Sequence, residues 1–414
     1  MSALRSASHL AVLCIVMLLA LTGVLFIYSA GYISSDFPVR PNWWRQCLFL
    51  AAGSAAMFFF ALQNPARRNW RYLIFSAYVL SVLLLGAVLF LGREVGGAKR
   101  WLALGPFFLQ PAEFAKVFTI LAGAIVFSGD LLPNRRWELA AGAALFALPA
   151  GLIIAEPSYG NAVSIVPAFI LMAGMRLCPA WLWRSLAAVV IILFFTGIGG
   201  LYYLRSLPPA ADGNKVETST PSARFLRGYH LRRLKSYTSA SGGWNEQQSL
   251  MTIASGGLTG KGYLRGTMKS LGYLPRTVAP TDFIFAVIAE EGGWLFGVLP
   301  VIALYTLLVW FILHWAARAP DRLCLNALAG GVSLLMVHIC VGIGMTIRLL
   351  PVIGLPLPLL SYGGSFTLAM MTMLGALLSC DRQTASEPSP RDADAPATLQ
   401  LGPIFRLRLW RSGR

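Results

Sequence analysis

Long runs of apolar residues alternate with short polar segments along most of the chain. About ten of these runs come close to the ~20 residues that an α-helix needs to cross the hydrocarbon layer of a bilayer. The pattern predicts an all-α integral membrane protein with about ten transmembrane helices. The predicted spans cover residues 9–30, 44–62, 70–92, 112–128, 137–155, 161–176, 182–204, 283–313, 323–347 and 355–380.

One polar connection is far longer than the others. Residues 205–282 separate the seventh and eighth predicted helices and predict a large loop. We therefore divide the chain into a polytopic membrane domain, residues 1–380, which includes this loop, and a tail, residues 381–414. The tail begins with Ser, Pro, Asp and Ala residues, a composition typical of disorder. Its Arg-rich last residues are equally suited to contact an anionic membrane surface.

Basic residues mark one side of the predicted membrane domain. An excess of Lys and Arg in short loops identifies the cytoplasmic side, whereas loops longer than ~60 residues escape this rule. The rule places both termini in the cytoplasm and the large loop outside it. The residues that set this orientation are Arg67, Arg68, Arg71, Arg135, Arg136, Arg176, Arg184, Arg318 and Arg322.

Composition agrees with a membrane protein and excludes other classes. The chain is 57% hydrophobic and 12% charged, whereas soluble domains carry about 25% charged residues. A net charge of +17 would suggest nucleic-acid binding in a soluble protein. Here the basic residues lie in membrane loops, so we expect no nucleic-acid partner. None of the six cysteines has Cys-x-x-Cys spacing, so they predict neither a metal site nor a disulfide framework.

Ionisable residues at the edges of membrane spans are costly there, so each is a functional candidate. Glu113 and Lys116, spaced i,i+3 at the start of span four, share a helix face. They form either a structural ion pair or a site in which Lys116 is held ready for a phosphate. Shortly before them, Lys99 and Arg100 belong to a basic, aromatic segment. This segment either anchors the chain at the membrane surface or binds an anionic headgroup.

The large loop holds further basic candidates. Arg232 and Arg233 lie in a dense basic patch, which is either a solvated face or a site for a pyrophosphate headgroup. Lys261 lies in a Gly-rich segment that superficially matches a phosphate-binding loop. However, Ser255 occupies the first required Gly position, and Gly262 follows the Lys where Ser or Thr is needed. We therefore interpret these glycines as allowing a close backbone approach rather than nucleotide binding.

Asp282 opens the eighth predicted span. Asp is a preferred helix N-cap residue, so capping is one interpretation. The other is a general base at the membrane surface, because an apolar neighbourhood favours the protonated carboxyl and so helps it accept a proton from a hydroxyl. A base beside a strongly basic loop fits transfer from a pyrophosphate-linked donor, since cations stabilise the departing charge.

Taken in order, these motifs resemble those of the SEDS proteins, the RodA/FtsW/SpoVE family of bacterial cell-wall polymerases. The resemblance covers nearly all of residues 10–380, and its last block is very specific. The matching blocks are Gly97-Ala98-Lys99-Arg100-Trp101, Gln110-Pro111-x-Glu113-x-x-Lys116, Ser255-Gly256-Gly257-x-x-Gly260-Lys261-Gly262, Thr281-Asp282-Phe283-Ile284-Phe285-Ala286 with Glu290-Glu291, and Gly354-Leu355-Pro356-Leu357-Pro358 followed by Ser361-Tyr362-Gly363-Gly364-Ser365.

The resemblance implies a peptidoglycan glycosyltransferase that acts on lipid II, the lipid-linked disaccharide-peptide, and releases undecaprenyl pyrophosphate. It implies that Asp282 is the catalytic acid/base, that Glu113 and Lys116 support the site, and that Ser361 and Tyr362 bind substrate. It also implies a divalent cation (Mg²⁺ or Mn²⁺), a class B penicillin-binding protein as partner, and a place in the bacterial cytoplasmic (inner) membrane. The end of span one and residues 344–346 look most like RodA, which implies a role in cell-wall elongation and cell shape.

Several positions depart from the family pattern. The segment 276–280 before Asp282 is two residues longer than usual and lacks the usual Glu and His. Glu156 and Ser158 stand where Gln and Asp are usual. Two other functions therefore stay open, a lipid II flippase and a non-catalytic scaffold for a penicillin-binding protein. Replacing Asp282 separates the three, because only a polymerase should lose glycan synthesis while it still folds and binds its partner.

Overall fold

The computed structural model describes residues 2–32, 42–95, 98–105, 107–132, 134–177, 243–275, 277–383, 397–401 and 405–409. Predicted span seven and the basic patch with Arg232 and Arg233 lie outside the described residues, as does half of the predicted loop 205–282. The described helices are, in chain order, α1 (Ser2–Gly31), α2 (Asn42–Leu62), α3 (Arg68–Leu91), α4 (Pro111–Val126), α5 (Arg135–Ala155), α6 (Tyr159–Ser164), α7 (Val166–Leu177), α8 (Trp244–Gly256), α9 (Thr267–Ser270), α10 (Ile284–Gly292), α11 (Leu299–Ala316), α12 (Arg322–Thr346) and α13 (Gly364–Gln383).

The described part is a bundle of long apolar helices, as the hydrophobic pattern predicts. Within it, 7 helices are long and apolar enough to cross a membrane. Five of them carry exposed Leu, Phe or Trp side chains, which is what a lipid-facing surface requires, whereas Gly364–Arg382 is 89% buried. These helices are Ala7–Gly31, Asn42–Leu62, Arg68–Leu91, Arg135–Ala155, Ile284–Ala316, Arg322–Thr346 and Gly364–Arg382.

Helix α4, which corresponds to predicted span four, lies at the centre of the bundle. All of its residues except Phe114 are buried, and it packs against α3, α5, α7, α12 and α13. It begins at Pro111, where the missing N–H of proline leaves no helical hydrogen bond unmade. Because other helices surround it, the polar side chains Glu113 and Lys116 face protein rather than lipid.

Predicted span six is two helices rather than one. Helix α6 ends at Ser164, α7 begins at Val166, and Ile165 forms the turn between them. Pro167 follows this break. A proline ring clashes with the carbonyl four residues earlier and donates no hydrogen bond, so an uninterrupted helix is disfavoured there.

The eighth predicted span is a long helix with a defect. The stretch Ile284–Ala316 is 33 residues long, and a π-helical turn, Gly293–Val298, separates α10 from α11. The helical stretch Ile284–Ala316 runs antiparallel to α1. Ser29 hydrogen-bonds Glu291 near one end of these two helices, and Trp315 hydrogen-bonds Ser8 near the other end. The first turns of α10 therefore extend past the end of α1.

The prediction of an all-α chain was wrong over the connection between α3 and α4. This connection contains three antiparallel strands, β1 (Arg93–Val95), β2 (Ala98–Leu104) and β3 (Phe107–Leu109), in the order β1-β2-β3. Gly105, with a φ of 61°, reverses the chain between β2 and β3. The register pairs Leu102 with Leu109. The three strands are too short to be recognised between the long apolar runs that predict helices.

The tail differs in part from the predicted disorder. Strands β4 (Ala397–Leu401) and β5 (Phe405–Leu409) form an antiparallel pair. Apolar residues alternate with Thr and Gln in β4 and with Arg in β5, which is the period-two pattern of a strand. Residues 384–396, where the disorder prediction is centred, lie outside the described residues.

Candidate active site

Asp282 lies two residues before Ile284, the first residue of α10. Phe283 occupies the N-cap position, which makes no side-chain capping hydrogen bond. Asp282 thus precedes the N-cap position by one residue. The Asp282 carboxylate lies near the backbone of Gly354. A Cβ atom placed on this glycine would be 3.9 Å from Asp282 Oδ2. Asp282 is half-buried.

The loop 354–362 holds the backbone next to Asp282. Ser361 Oγ donates a hydrogen bond of 2.7 Å to the carbonyl of Thr281 and accepts one of 2.9 Å from the N–H of Leu357. The N–H of Tyr362 donates to the carbonyl of Pro280 over 2.8 Å. The structure thus brings two predicted substrate-binding residues, Ser361 and Tyr362, to the predicted base, through contacts with backbone.

A buried polar cluster lies beside this loop, centred on Lys116. The ammonium Nζ is 2.8 Å from Glu113 Oε2, 2.8 Å from Asn161 Oδ1 and 3.1 Å from His338 Nε2. These partners match the three N–H donors of an ammonium group. The predicted ion pair is therefore present. A phosphate could reach Lys116 only by displacing a partner, because Lys116 is 0% exposed.

His338 was missed in the sequence, as was the role of Asn161. Asn161 lies at the end of the Pro- and Gly-containing turn after α5, where only a turn is evident from the sequence. The one available signal for His338 was an ionisable residue within an apolar span, which is a functional candidate by default. Its pairing with Lys116 joins positions 222 residues apart, which no local pattern reveals.

Lys99 and Arg100 both lie on β2, but their side chains have different surroundings. Lys99 is exposed. Arg100 Nε donates to the carbonyl of Glu156 over 3.2 Å, and Arg100 Nη2 contacts the carbonyl of Pro157. Arg100 therefore ties the sheet to the turn 156–158, while Lys99 keeps an ammonium group in contact with the surroundings.

Glu156 presents a buried carboxyl group in this turn. It is 1% exposed, and neither carboxyl oxygen has a hydrogen-bond partner among the described residues. Burial raises the pKa of Glu156 to about 8, although the nearby charge of Arg100 opposes the shift. The side chain is therefore mostly neutral at pH 7.

Lys261 takes part in a second polar cluster, which docks the segment 256–270 on α10. Its ammonium lies 2.7 Å from Glu290 Oε1 and also donates to Ser255 and Thr267. The neighbouring Lys269 pairs with Glu291, and burial lowers the pKa of Lys269. Three intramolecular partners satisfy the Lys261 ammonium, so the predicted contact with substrate would compete with this ion pair.

The described residues contain no group of three or more His, Cys, Asp or Glu side chains arranged to hold a metal ion. A Mg²⁺ or Mn²⁺ ion coordinated by protein side chains alone therefore does not fit this part of the chain. Oxygen ligands from a substrate would be needed to complete its coordination shell.

Comparison with known proteins adds independent information to this geometry. The family model described as "Cell cycle protein", FtsW/RodA/SpoVE, matches residues 9–386. The chain is 30% identical to "Peptidoglycan glycosyltransferase RodA" of Treponema pallidum, over 91% of this chain and 98% of that protein. It is 35% identical to "Peptidoglycan glycosyltransferase MrdB" of Escherichia coli, over 73% of this chain and 76% of that protein.

A solved structure described as "Structural coordination of polymerization and crosslinking by a peptidoglycan synthase complex" has the same fold. It superposes with a TM-score of 0.68 at 28% identity and covers 91% of this chain and 98% of the matched chain. The family model, the two relatives and the fold all indicate the same family. The chain therefore belongs to the FtsW/RodA/SpoVE family.

Proposed function

We propose that this chain is a peptidoglycan glycosyltransferase that polymerises glycan strands from lipid II, with Asp282 as the base, in cell-wall elongation and cell-shape maintenance. The observation that carries the proposal is the position of Asp282, whose carboxylate lies beside Gly354 and whose neighbour Thr281 accepts a hydrogen bond from Ser361 of the loop 354–362. The names of the relatives in Treponema pallidum and Escherichia coli support the activity.

The proposed reaction forms one glycosidic bond per cycle. Asp282 accepts the proton of the acceptor GlcNAc hydroxyl as the hydroxyl oxygen attacks the anomeric carbon of the donor MurNAc. The bond between this carbon and the pyrophosphate oxygen breaks, and undecaprenyl pyrophosphate leaves with the electron pair. Asp282 then releases its proton to water. Lys99, Arg232 and Arg233 supply positive charge for the departing pyrophosphate in this scheme.

The test is glycan polymerisation from purified lipid II, comparing the wild type with Asp282→Asn. General-base catalysis contributes about 10²- to 10⁴-fold, so Asp282→Asn should lose at least about 100-fold in turnover while it still folds. Asp130→Asn is the matched control, because Asp130 forms an exposed ion pair with Arg71 in the connection after α4. Wild-type turnover by Asp282→Asn would refute the assigned base. A folded wild type that makes no glycan would favour the flippase or the scaffold.

The same proposal includes the full topology. About ten transmembrane helices cross the bacterial inner membrane, both termini are cytoplasmic, and residues 205–282 form a large extracytoplasmic loop between helices seven and eight. The alternation of Arg-rich loops supports this orientation. A fluorescent protein fused after residue 383 should fluoresce, and one fused within the large loop should not, if fluorescence requires folding in the cytoplasm.

Two accessory components belong to the proposal. The partner is a class B penicillin-binding protein, and the matched peptidoglycan synthase complex supports such an assembly. A divalent cation, Mg²⁺ or Mn²⁺, would be held mainly by pyrophosphate oxygens. Chelation by EDTA should then abolish polymerisation without dissociating the two proteins.

A further inference from the structure

His338 connects the buried ion pair to the loop beside Asp282. The side chain is 0% exposed. Its Nε2 lies 3.1 Å from Lys116 Nζ, and its Nδ1 lies 3.1 Å from the carbonyl oxygen of Pro356. The ring packs on Phe366 with 4.8 Å between the ring centres, which fixes the plane of the imidazole.

The two partners of His338 determine its tautomer. An ammonium group can only donate hydrogen bonds, so Nε2 must be the accepting nitrogen. A carbonyl oxygen can only accept, so Nδ1 must carry the proton. His338 is therefore a neutral imidazole that accepts from Lys116 on one side and donates to Pro356 on the other.

The hydrogen bonds continue from Pro356 to the backbone of Asp282. The Pro356 carbonyl and the Leu357 N–H belong to the same planar peptide group. This N–H donates to Ser361 Oγ, and Ser361 Oγ donates to the Thr281 carbonyl. The Thr281 carbonyl is in turn part of the peptide bond to Asp282. His338 and Ser361 thus bind the carbonyl and the N–H of one peptide group. This series of hydrogen bonds ends at the peptide bond between Thr281 and Asp282, the proposed base.

In a continuous series of hydrogen bonds, the orientation of one group restricts the orientation of the next. Each hydrogen bond polarises the next, and a group that is bonded at both ends has little freedom to rotate. Without His338, the Pro356 carbonyl would lose its bond to the imidazole, and Lys116 would keep a buried N–H without an acceptor. The peptide 356–357 could then rotate, and Ser361 would no longer be oriented toward Thr281.

We infer that His338 is a positioning residue for catalysis, which fixes the Asp282 carboxylate by orienting the Pro356–Leu357 peptide between the Lys116 ammonium and the Ser361 hydroxyl. This inference rests on the proposed role of Asp282. It assigns to His338 no contact with substrate and no proton transfer. Its function is to hold the loop 354–362 in the one arrangement that aligns the base.

The test compares two amides at position 338 in the lipid II polymerisation assay. In His338→Gln, the side chain carries an accepting oxygen and a donating nitrogen about as far apart as the two imidazole nitrogens, so it can serve both partners. In His338→Asn, the same amide is one methylene shorter and reaches only one. We expect His338→Gln to keep kcat within about threefold, and His338→Asn to lose about 10- to 100-fold, since a misplacement of ~1 Å can cost 10²-fold.

Three measurements distinguish positioning from a purely structural role. The loss should appear mainly in kcat per folded molecule, with KM within about twofold, because His338 itself makes no contact with substrate. Combining His338→Asn with Ser361→Ala should cost less than the sum of the two single changes, because both interrupt one series. His314→Asn, which alters a histidine stacked on Trp310 in the last turn of α11, should leave kcat unchanged.

The inference is overturned if His338→Asn has wild-type kcat, if His338→Gln is as impaired as His338→Asn, or if the losses of His338→Asn and Ser361→Ala simply add. Asp282→Asn is measured in the same series. If Asp282→Asn is inactive and His338→Asn is fully active, only the positioning role fails. If Asp282→Asn is fully active, the assigned base fails, and with it the target of the positioning.

Discussion

The buried carboxyl of Glu156 makes a quantitative prediction about stability and pH. Its pKa is about 8 in the folded protein against 4.5 in the unfolded chain. Between these values the folded state holds a proton that the unfolded chain has released. Stability from this group therefore falls as the pH rises from ~4.5, and the loss is complete above a pH of about 8.

The magnitude follows from the size of the shift. At ~1.4 kcal/mol per pH unit, moving a pKa from 4.5 to about 8 corresponds to an upper value of about 5 kcal/mol. About 3 kcal/mol of this cost is already present at pH 7. The Glu156→Gln variant has nearly the same shape and no titration, so its advantage over the wild type should grow from pH 5 to pH 9.

The assay is the midpoint of thermal unfolding in detergent for the wild type and Glu156→Gln at pH 5, 7 and 9. All other titrating groups are shared by the two proteins, so their contributions cancel when the two unfolding midpoints are subtracted at each pH. We expect the midpoints to separate by several degrees toward pH 9 in favour of Glu156→Gln. Asp130→Asn, which alters an exposed ion pair, should follow the wild type at every pH. Parallel curves for the wild type and Glu156→Gln would refute the reasoning.

The remaining predictions concern the packing around α4 and α10. Lys116→Met should destabilise the fold by about 3–5 kcal/mol, because it leaves the Glu113 carboxylate buried without its counter-charge. Adding Glu113→Gln should recover most of the loss in thermal midpoint, and no recovery would contradict the ion-pair argument. Gly256→Ala should also lower the midpoint, because the new Cβ would contact the backbone carbonyl of Ala289 on α10. Gly86→Ala meets no atom within 4 Å and should be neutral, so equal effects of the two alanines would contradict this account.

The long helices could be predicted from the sequence because the controlling physics is local. An apolar run of about 20 residues must form a helix in a bilayer, where no water satisfies the backbone. The i,i+3 spacing of Glu113 and Lys116 likewise follows from helix geometry alone, and their pairing is observed. The roles of Arg232 and Arg233 stay predictions.

Other features depended on contacts between distant parts of the chain. The sheet between α3 and α4 needs strand pairing, which short segments do not specify by composition. The third partner of Lys116, the burial of Glu156 and the ion pair of Lys261 arise only when separate helices and turns pack together. Burial and electrostatic partners change what an ionisable side chain can do, and neither is encoded in its immediate neighbours.

The sequence by itself thus determined the membrane class, most of the spans and the motif around Asp282, because apolar length and local spacing carry those signals. Only the tertiary structure decided which side chains surround that motif. It placed Asp282 beside the loop 354–362, enclosed Lys116, and connected His338 to the peptide of Pro356, 18 residues further along the chain. The physical reason is that hydrogen bonds and desolvation act through space, so their effect on a residue is fixed only when the helices are packed.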